Sequence, residues 1–441
     1  MHRRALFLVA LLLAGAARAQ PREAAVSEAP PAPMSSAAER VYELARPRIL
    51  QIRTLLQAAG RQTTLGSGFL VAADGLAITN YHVVSQFALD PRTYRLEYLA
   101  PDGARGALQL LAIDVPHDLA VVKLDRGDLP CFDFDARALA GRLPKGERIY
   151  AMGNPLDLGF TIVEGTYNGM VDKSYDERIH FSGAINPGMS GGPVAGGDGR
   201  IVGINVAKSL GGESVGFLVP AKFAAALLER ARKGPTLVVD KAREEVARQL
   251  DQWQAAFFDA LRSQGFRSTR LGAYRGLESA APWMSCWAAT NADQMPRPRA
   301  SINTTRCSSA TGIFVSDRIL SGRLDFSYSY LKALDLNRFQ FAKELSQRAR
   351  NSAGDADKRL TEQECRDDFV TTAPGAKPPL RATWCMRAYR EFEGLYNVTL
   401  LALTQDHDRE ALLAQLTMQG VSHANAVALG RRFLEAIEWA R

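Results

Sequence analysis

Three short stretches hold residues that could do covalent chemistry together: Thr79-Asn80-Tyr81-His82-Val83-Val84, His117-Asp118-Leu119-Ala120 and Asn186-Pro187-Gly188-Met189-Ser190-Gly191-Gly192-Pro193. They supply an imidazole, a carboxylate and a hydroxyl flanked by glycines, which are the parts needed for acyl transfer through a serine ester. A serine hydroxyl is a poor nucleophile at neutral pH, so an imidazole must take its proton during attack and return it to the leaving amine. His82 is the candidate base. Asp118 is the carboxylate that would fix its tautomer and stabilise the imidazolium, and Ser190 is the candidate nucleophile. Glycine accepts positive φ and close backbone approach, so the N–H groups of Gly188 and Ser190 can converge on one oxyanion. Losing one such donor costs roughly 3 kcal/mol of transition-state stabilisation.

Each piece alone has an ordinary structural reading. A histidine in an apolar stretch is commonly a core residue, and glycine with serine is a common turn composition. The conjunction carries the reading: the order His, Asp, Ser within one domain-sized window, with Asp118 opening the apolar run Leu119-Ala120-Val121-Val122 expected to be a buried strand.

Six segments together resemble the protease domain of the HtrA/DegP family: Gly66-Ser67-Gly68-Phe69-Leu70, the His82, Asp118 and Ser190 stretches, Ile201-Val202-Gly203-Ile204-Asn205 and Gly216-Phe217-Leu218-Val219-Pro220. The resemblance covers about half of the chain, residues 38–232. It implies a trypsin-like fold of two six-stranded antiparallel β-barrels, with His82 and Asp118 on the first and Ser190 on the second, and serine endopeptidase activity. Residues after Arg232 carry no PDZ-like glycine and valine pattern, so the resemblance stops there. Digestive relatives place an aspartate just before the nucleophile to pair with a newly cut N-terminus, and Met189 stands there instead. Enzymes that choose Lys or Arg at P1 carry an acid six residues before the nucleophile, where this chain has Ala184. By resemblance, Ile185 and Ala207 would line a small apolar S1 pocket, with Lys208 nearby either extending to solvent, the preferred reading, or favouring an acidic P1 residue. An apolar pocket discriminates by only about 1–3 kcal/mol per methylene, so broad small-aliphatic preference is expected.

The N-terminus addresses the chain. Met1-His2-Arg3-Arg4 is basic, residues 5–14 are apolar, and Ala17-Arg18-Ala19 offers a small-x-small cleavage site, so residues 1–19 read as a signal peptide and the mature protein as periplasmic or secreted. No later stretch reaches the roughly 20 apolar residues that a bilayer requires. The formal net charge of +7 falls to about +4 without the signal peptide and is scattered, which argues against nucleic-acid binding.

Length suggests two to three domains. Residues 20–36 are Ala/Pro-rich and read as a flexible leader. Residues 37–52, with Val41, Leu44 and Ala45, suggest a short helix leading into the first strand. The trypsin-like domain is assigned to 37–232, ending in a helix over 221–231 on the second barrel, and Lys233-Gly234-Pro235 opens a linker over 233–240.

Residues 241–441 read as an α+β domain of unfamiliar type. Val246, Leu250, Trp253, Phe257 and Leu261 recur with helical spacing, and Leu324, Phe326, Tyr328 and Tyr330 alternate as in a strand. A further strand is expected over 396–403, a helix capped by Asp408 through Leu416, and a helix over 432–439. Four of five cysteines lie here. In an oxidising compartment two disulfides are expected, preferably Cys286 with Cys307 and Cys365 with Cys385, each closing a loop worth roughly 3 kcal/mol. The spacings do not fit a zinc site. Cys131 is left as a buried free thiol, with an intermolecular bridge as the alternative, Asp406-His407-Asp408 as a solvated helix start rather than a metal site, and His180 and His423 as structural residues. No metal or cofactor is expected.

The sequence therefore predicts an exported endopeptidase acting on unfolded or exported proteins in quality control or processing, with homo-oligomers compatible with the resemblance. The rival is a protease-fold binding or chaperone-like protein whose C-terminal domain captures clients. A serine esterase of the α/β-hydrolase type would need the order Ser, Asp, His.

Overall fold

The computed structural model describes residues 35–440 except 155–158, 207–215, 310–311, 318, 350–357, 374 and 376. The expected signal peptide and nearly all of the leader lie outside the described residues. Helix α1 (Ser36–Ala45) is capped by the Ser35 side chain, which accepts from Ala38 N–H. It buries Val41 and Ala45, whereas Leu44, expected on the same face, is exposed.

Apolar strands rich in Val, Ile and Leu then curl into a closed barrel: β1 (Ile49–Leu56), β2 (Arg61–Leu70), β3 (Leu76–Thr79), β4 (Tyr94–Leu99), β5 (Arg105–Asp114) and β6 (Leu119–Leu124), in the order β1-β2-β3-β6-β5-β4. Closure leaves no free edge. Helix α2 (Tyr81–Leu89) interrupts the barrel between β3 and β4. After the short helix α3 (Ala136–Leu139) a second barrel repeats the plan with β7 (Arg148–Gly153), β8 (Thr161–Met170), β9 (Ile179–Phe181), β10 (Pro193–Ala195), β11 (Ile201–Val206) and β12 (Gly216–Pro220), in the order β10-β11-β12-β9-β8-β7. All pairings within the two barrels are antiparallel. Helix α4 (Ala221–Lys233) lies on the second barrel as expected. It packs on β5 and β6 of the first as well as on β11, and Arg230 donates to Ile113 O at 3.0 Å. Cys131 lies between the barrels as a free, half-buried thiol.

The rest is an α+β assembly. The long helix α5 (Ala242–Gln264) buries Val246, Leu250, Trp253, Phe257 and Leu261. Strands β13 (Phe266–Leu271) and β14 (Tyr274–Ser279) form a small sheet, and β15 (Met284–Thr290) and β16 (Ala300–Ser309) begin a larger one. The hairpin β17 (Ile313–Ser316) and β18 (Ile319–Ser321) precedes β19 (Leu324–Ala333) and helix α6 (Arg338–Arg348). Strands β20 (Glu364–Val370), β21 (Leu380–Ala388), β22 (Leu395–Thr404) and β23 (Glu410–Ser422) complete a seven-stranded sheet ordered β15-β16-β19-β23-β22-β21-β20. Helix α7 (His423–Glu435) and the two-residue β24 (Glu438–Trp439), which joins β14, end the chain.

Two expectations fail here. Residues 410–422 are a strand and not a helix, because Ala411, Leu412, Ala414, Leu416 and Met418 are buried between β19 and β22, and two-sided pairing outweighs helix propensity. Asp408 therefore sits in a hairpin connection, where its neighbour Asp406 accepts from Tyr274 Oη and Trp439 Nε1. The last helix begins at His423 and stops at Glu435, with residues 438–439 extended. Disulfides join Cys286 to Cys307 and Cys365 to Cys385, each pair directly opposed on neighbouring strands.

The first barrel and the C-terminal assembly share one core. Tyr81, Val83 and Val84 of α2 belong to the same apolar cluster as Leu250, Trp253 and Phe257. Gln249 of α5 locks the join, accepting from Val115 N at 2.8 Å and donating to Ile113 O at 2.9 Å.

Candidate active site

His82 stands in the first turn of α2, whose entry is set by the buried Asn80. Asn80 Nδ2 donates to Asp118 O at 2.7 Å and so ties the helix entry to the start of β6. Asp118 has φ 59°, uncommon for a residue with a side chain, and such conformations persist only where surroundings enforce them. That turn directs the carboxylate at His82 twice: Oδ2 lies 2.7 Å from Nδ1, and Oδ1 accepts the His82 backbone N–H at 2.9 Å. Asp118 is 6% exposed. A carboxylate held this way keeps the proton of neutral imidazole on Nδ1 and turns the basic Nε2 outward. Burial and the Asp118 charge push the neighbouring Tyr81 phenol up, so it stays neutral.

Ser190 lies across the seam between the barrels, 4% exposed. Its carbonyl accepts Ser67 N–H at 2.7 Å, and Thr79 Oγ1 donates to Ser67 O at 2.7 Å. Gly191 has φ 80°, and a Cβ there would come within 2.4 Å of Ser67 O and 2.7 Å of Asn80 N. The Ser190-Gly191 turn is thus pressed against the residues that lead into the His82 helix. Ser190 Oγ is not hydrogen-bonded to His82 in the structure.

The preceding turn, Asn186-Pro187-Gly188-Met189, has proline second, Gly188 third at φ 94°, and a closing bond from Met189 N to Asn186 O at 3.0 Å. This is a type II geometry, which requires positive φ at the third position. Ser67 Oγ donates to Gly188 O at 2.7 Å and accepts Asn154 N–H at 2.9 Å, which pins the turn. The N–H groups of Gly188 and Ser190 have no acceptor among the described residues. Ala184 is exposed, and Ile185 is half-buried against the second-barrel core. Ala207 and Lys208 lie outside the described residues. Among the described residues no cluster of His, Cys, Asp and Glu could hold a metal.

Sequence reasoning passed over three supports. Ser67 was part of a resembling segment with no role assigned, and Asn80 was read only as a neighbour of His82. Phe314, from the β17–β18 hairpin, packs edge-on against His82 with ring centroids 5.8 Å apart, and nothing in its local sequence signals that contact.

Two closed antiparallel barrels with this cluster at their seam define a trypsin-like fold. Residues 66–204 match the family model described as a trypsin-like peptidase domain. The chain is similar to a putative serine protease HhoB of Synechocystis sp., 33% identical over 172 residues, covering 37% of this chain and 39% of that protein. It is also similar to probable periplasmic serine endoproteases described as DegP-like. The one from Marinomonas sp. is 32% identical over 180 residues, covering 39% of this chain and 36% of that protein. The one from Chlamydia muridarum is 30% identical over 178 residues, covering 38% and 34%. The solved serine endoprotease from Yersinia pestis aligns with a TM-score of 0.39 at 27% identity, covering 46% of this chain and 69% of that one. Residues 66–204 thus form a trypsin-like peptidase domain similar in sequence to HtrA/DegP-type serine proteases, and the chain spans less than two fifths of the length of the curated relatives it matches.

Proposed function

We propose that this protein is an exported serine endopeptidase in which His82, Asp118 and Ser190 form the catalytic triad. The observation that carries the reading is the double contact of the Asp118 carboxylate with the His82 ring and backbone. In the forward step Ser190 Oγ attacks the scissile carbonyl carbon while its proton passes to His82 Nε2. The new oxyanion accepts from the Gly188 and Ser190 N–H groups, fixed before reaction by the type II turn. Collapse breaks the C–N bond, the amine leaves with the proton from Nε2, and water repeats the sequence to release the acid. Asp118 stays ionised throughout and stabilises the imidazolium. The Ser190–His82 hydrogen bond forms as substrate closes the site, as is common for resting enzymes.

Ala184 stands where enzymes that choose a basic P1 side chain carry an acid, and Ile185 supports a small aliphatic preference. Export is supported by the signal-like residues 1–19 and by the relatives named periplasmic. Among the described residues no helix is long and apolar enough to cross a membrane. Substrates of this kind are unfolded or exported proteins cleaved in quality control or processing.

The test is incubation with unfolded casein beside the Ser190→Ala variant, with cleavage sites mapped by mass spectrometry. Cleavage by the unsubstituted protein alone, after Val, Ala, Ile or Leu, is the expected result. Casein held intact and soluble to the same degree by both proteins would favour the client-capturing alternative.

A further inference from the structure

The C-terminal assembly does more than rest on the barrels. Its β17–β18 hairpin reaches over the first barrel and is fastened there: Tyr81 Oη donates to Val315 O at 3.1 Å and Gln86 Nε2 to Asp317 Oδ2 at 2.7 Å. From behind, Tyr389 Oη donates to Leu320 O at 3.2 Å. The second barrel is gripped as well. Tyr175, in the β8–β9 connection, enters a box made by Trp253, Phe257 and Trp283, with centroid separations of 5.6, 5.0 and 5.2 Å. Trp253 Nε1 donates to the adjacent Asp176 at 2.9 Å.

Between these fastenings lies a cavity of about 440 Å³, bounded by Asp118 on the first barrel, Val206 and Phe217 on the second, Ile313, Phe314 and Leu320 on the hairpin, and the charged side chains of Lys173, Asp176, Arg178 and Arg323. Its volume falls in the range of ligand sites, which favour domain junctions. Phe314 faces both ways, since its ring touches His82 and lines the cavity. A chain lying in the reactive groove therefore has this cavity within reach of a neighbouring side chain.

We propose that the β17–β18 hairpin supplies a substrate subsite. It takes one large apolar side chain of the extended polypeptide being cleaved, at a position other than P1, between Phe314 and Leu320 on one side and Val206 and Phe217 on the other. The inference rests on the endopeptidase reading for its occupant, because it is continuity with His82 and Asp118 that identifies the guest as substrate. Fastening to α2 fixes the wall before substrate arrives, so selectivity does not depend on ordering a loop. The C-terminal assembly thereby becomes a specificity element of the catalytic site.

Two measurements on the full mature chain separate this inference from the reading beneath it. In the Ser190→Ala background, three fluorescein-labelled Ala/Ser decapeptides that differ only in a central Leu, Gly or Glu are titrated by anisotropy. The Leu peptide is expected to bind about tenfold tighter than the Gly peptide. Phe314→Ala should bring the two to parity, and Leu320→Lys should place the Glu peptide ahead of the Leu peptide. A change of rank, unlike a uniform loss, cannot come from a damaged fold. With Ser190 intact, the casein cleavage map should show large apolar residues enriched at one position besides P1, with that enrichment lost in Phe314→Ala. A peptide ranking untouched by both substitutions overturns the subsite even if casein is cut. A ranking that shifts as expected while casein stays intact supports the subsite and overturns the endopeptidase reading instead.

Discussion

His82 and Asp118 are joined side chain to side chain on a helix entry and strand start whose core runs on into α5. Ser190, across the seam, is positioned chiefly through backbone: glycines that tolerate no Cβ, a type II turn, and carbonyl and N–H groups bridged by the Ser67 hydroxyl. The first half should fail through lost packing from the C-terminal assembly, and the second through local steric insult that leaves most of the fold intact. A cluster assembled from two supports of different kind can be taken apart one support at a time.

The sharpest way to break the second half is Gly192→Ala, since a Cβ there would lie 2.1 Å from Met152 O and 2.9 Å from Met189 O. Casein hydrolysis is expected to fall roughly 10²–10³-fold as the donors move, with a stability loss of about 2–4 kcal/mol by urea denaturation. The matching insult to the first half is Trp253→Ala, which empties the contact with Tyr175, Phe257 and Asp176. A loss of about 3–5 kcal/mol is expected in the same denaturation, with kcat/KM of the remaining folded protein changed less than by Gly192→Ala. If Trp253→Ala were silent in stability, the shared core would not be the support described.

Ser67→Ala refines the comparison at smaller scale. Removing the hydroxyl leaves Asn154 N–H unpaired and frees Gly188 O, so stability should drop only about 1–2 kcal/mol. Turnover should fall further in proportion, with kcat reduced and KM little changed. The smallest effect belongs to Asp176, whose carboxyl is pushed up, chiefly by burial. A carboxyl raised on folding contributes stability that is complete below the ordinary carboxylate range and lost as pH rises through the raised folded value. Asp176→Asn keeps an acceptor for Trp253 and removes that titration. Its melting temperature relative to the unsubstituted protein should therefore climb from pH 4 to pH 7, and a pH-independent difference would contradict the assignment.

What could be read from the sequence divides along similar lines. The candidate triad stood out because acyl transfer demands particular residue types, and barrel strands were legible because short apolar runs such as Leu119-Ala120-Val121-Val122 suit a buried strand. Helix α5 was legible from Val246 to Leu261 because one apolar stripe satisfies its period. Residues 410–422 were misread because Ala411, Leu412 and Leu416 fit both periods, and the choice is made by pairing with β19 and β22, far off in sequence. Phe314 carried no local signal, and Ser67 only that of a resembling segment without a role. Their roles arise only when a distant hairpin or turn folds beside them.

The central claim is that Ser190 is a nucleophile activated by His82 and Asp118. Its most direct test is reaction of the mature protein with a fluorophosphonate, followed by intact mass and peptide mapping. The account predicts one adduct per chain, on Ser190, formed at neutral pH and suppressed by His82→Ala. No adduct, or labelling of Ser190 that persists unchanged without the imidazole, would contradict it.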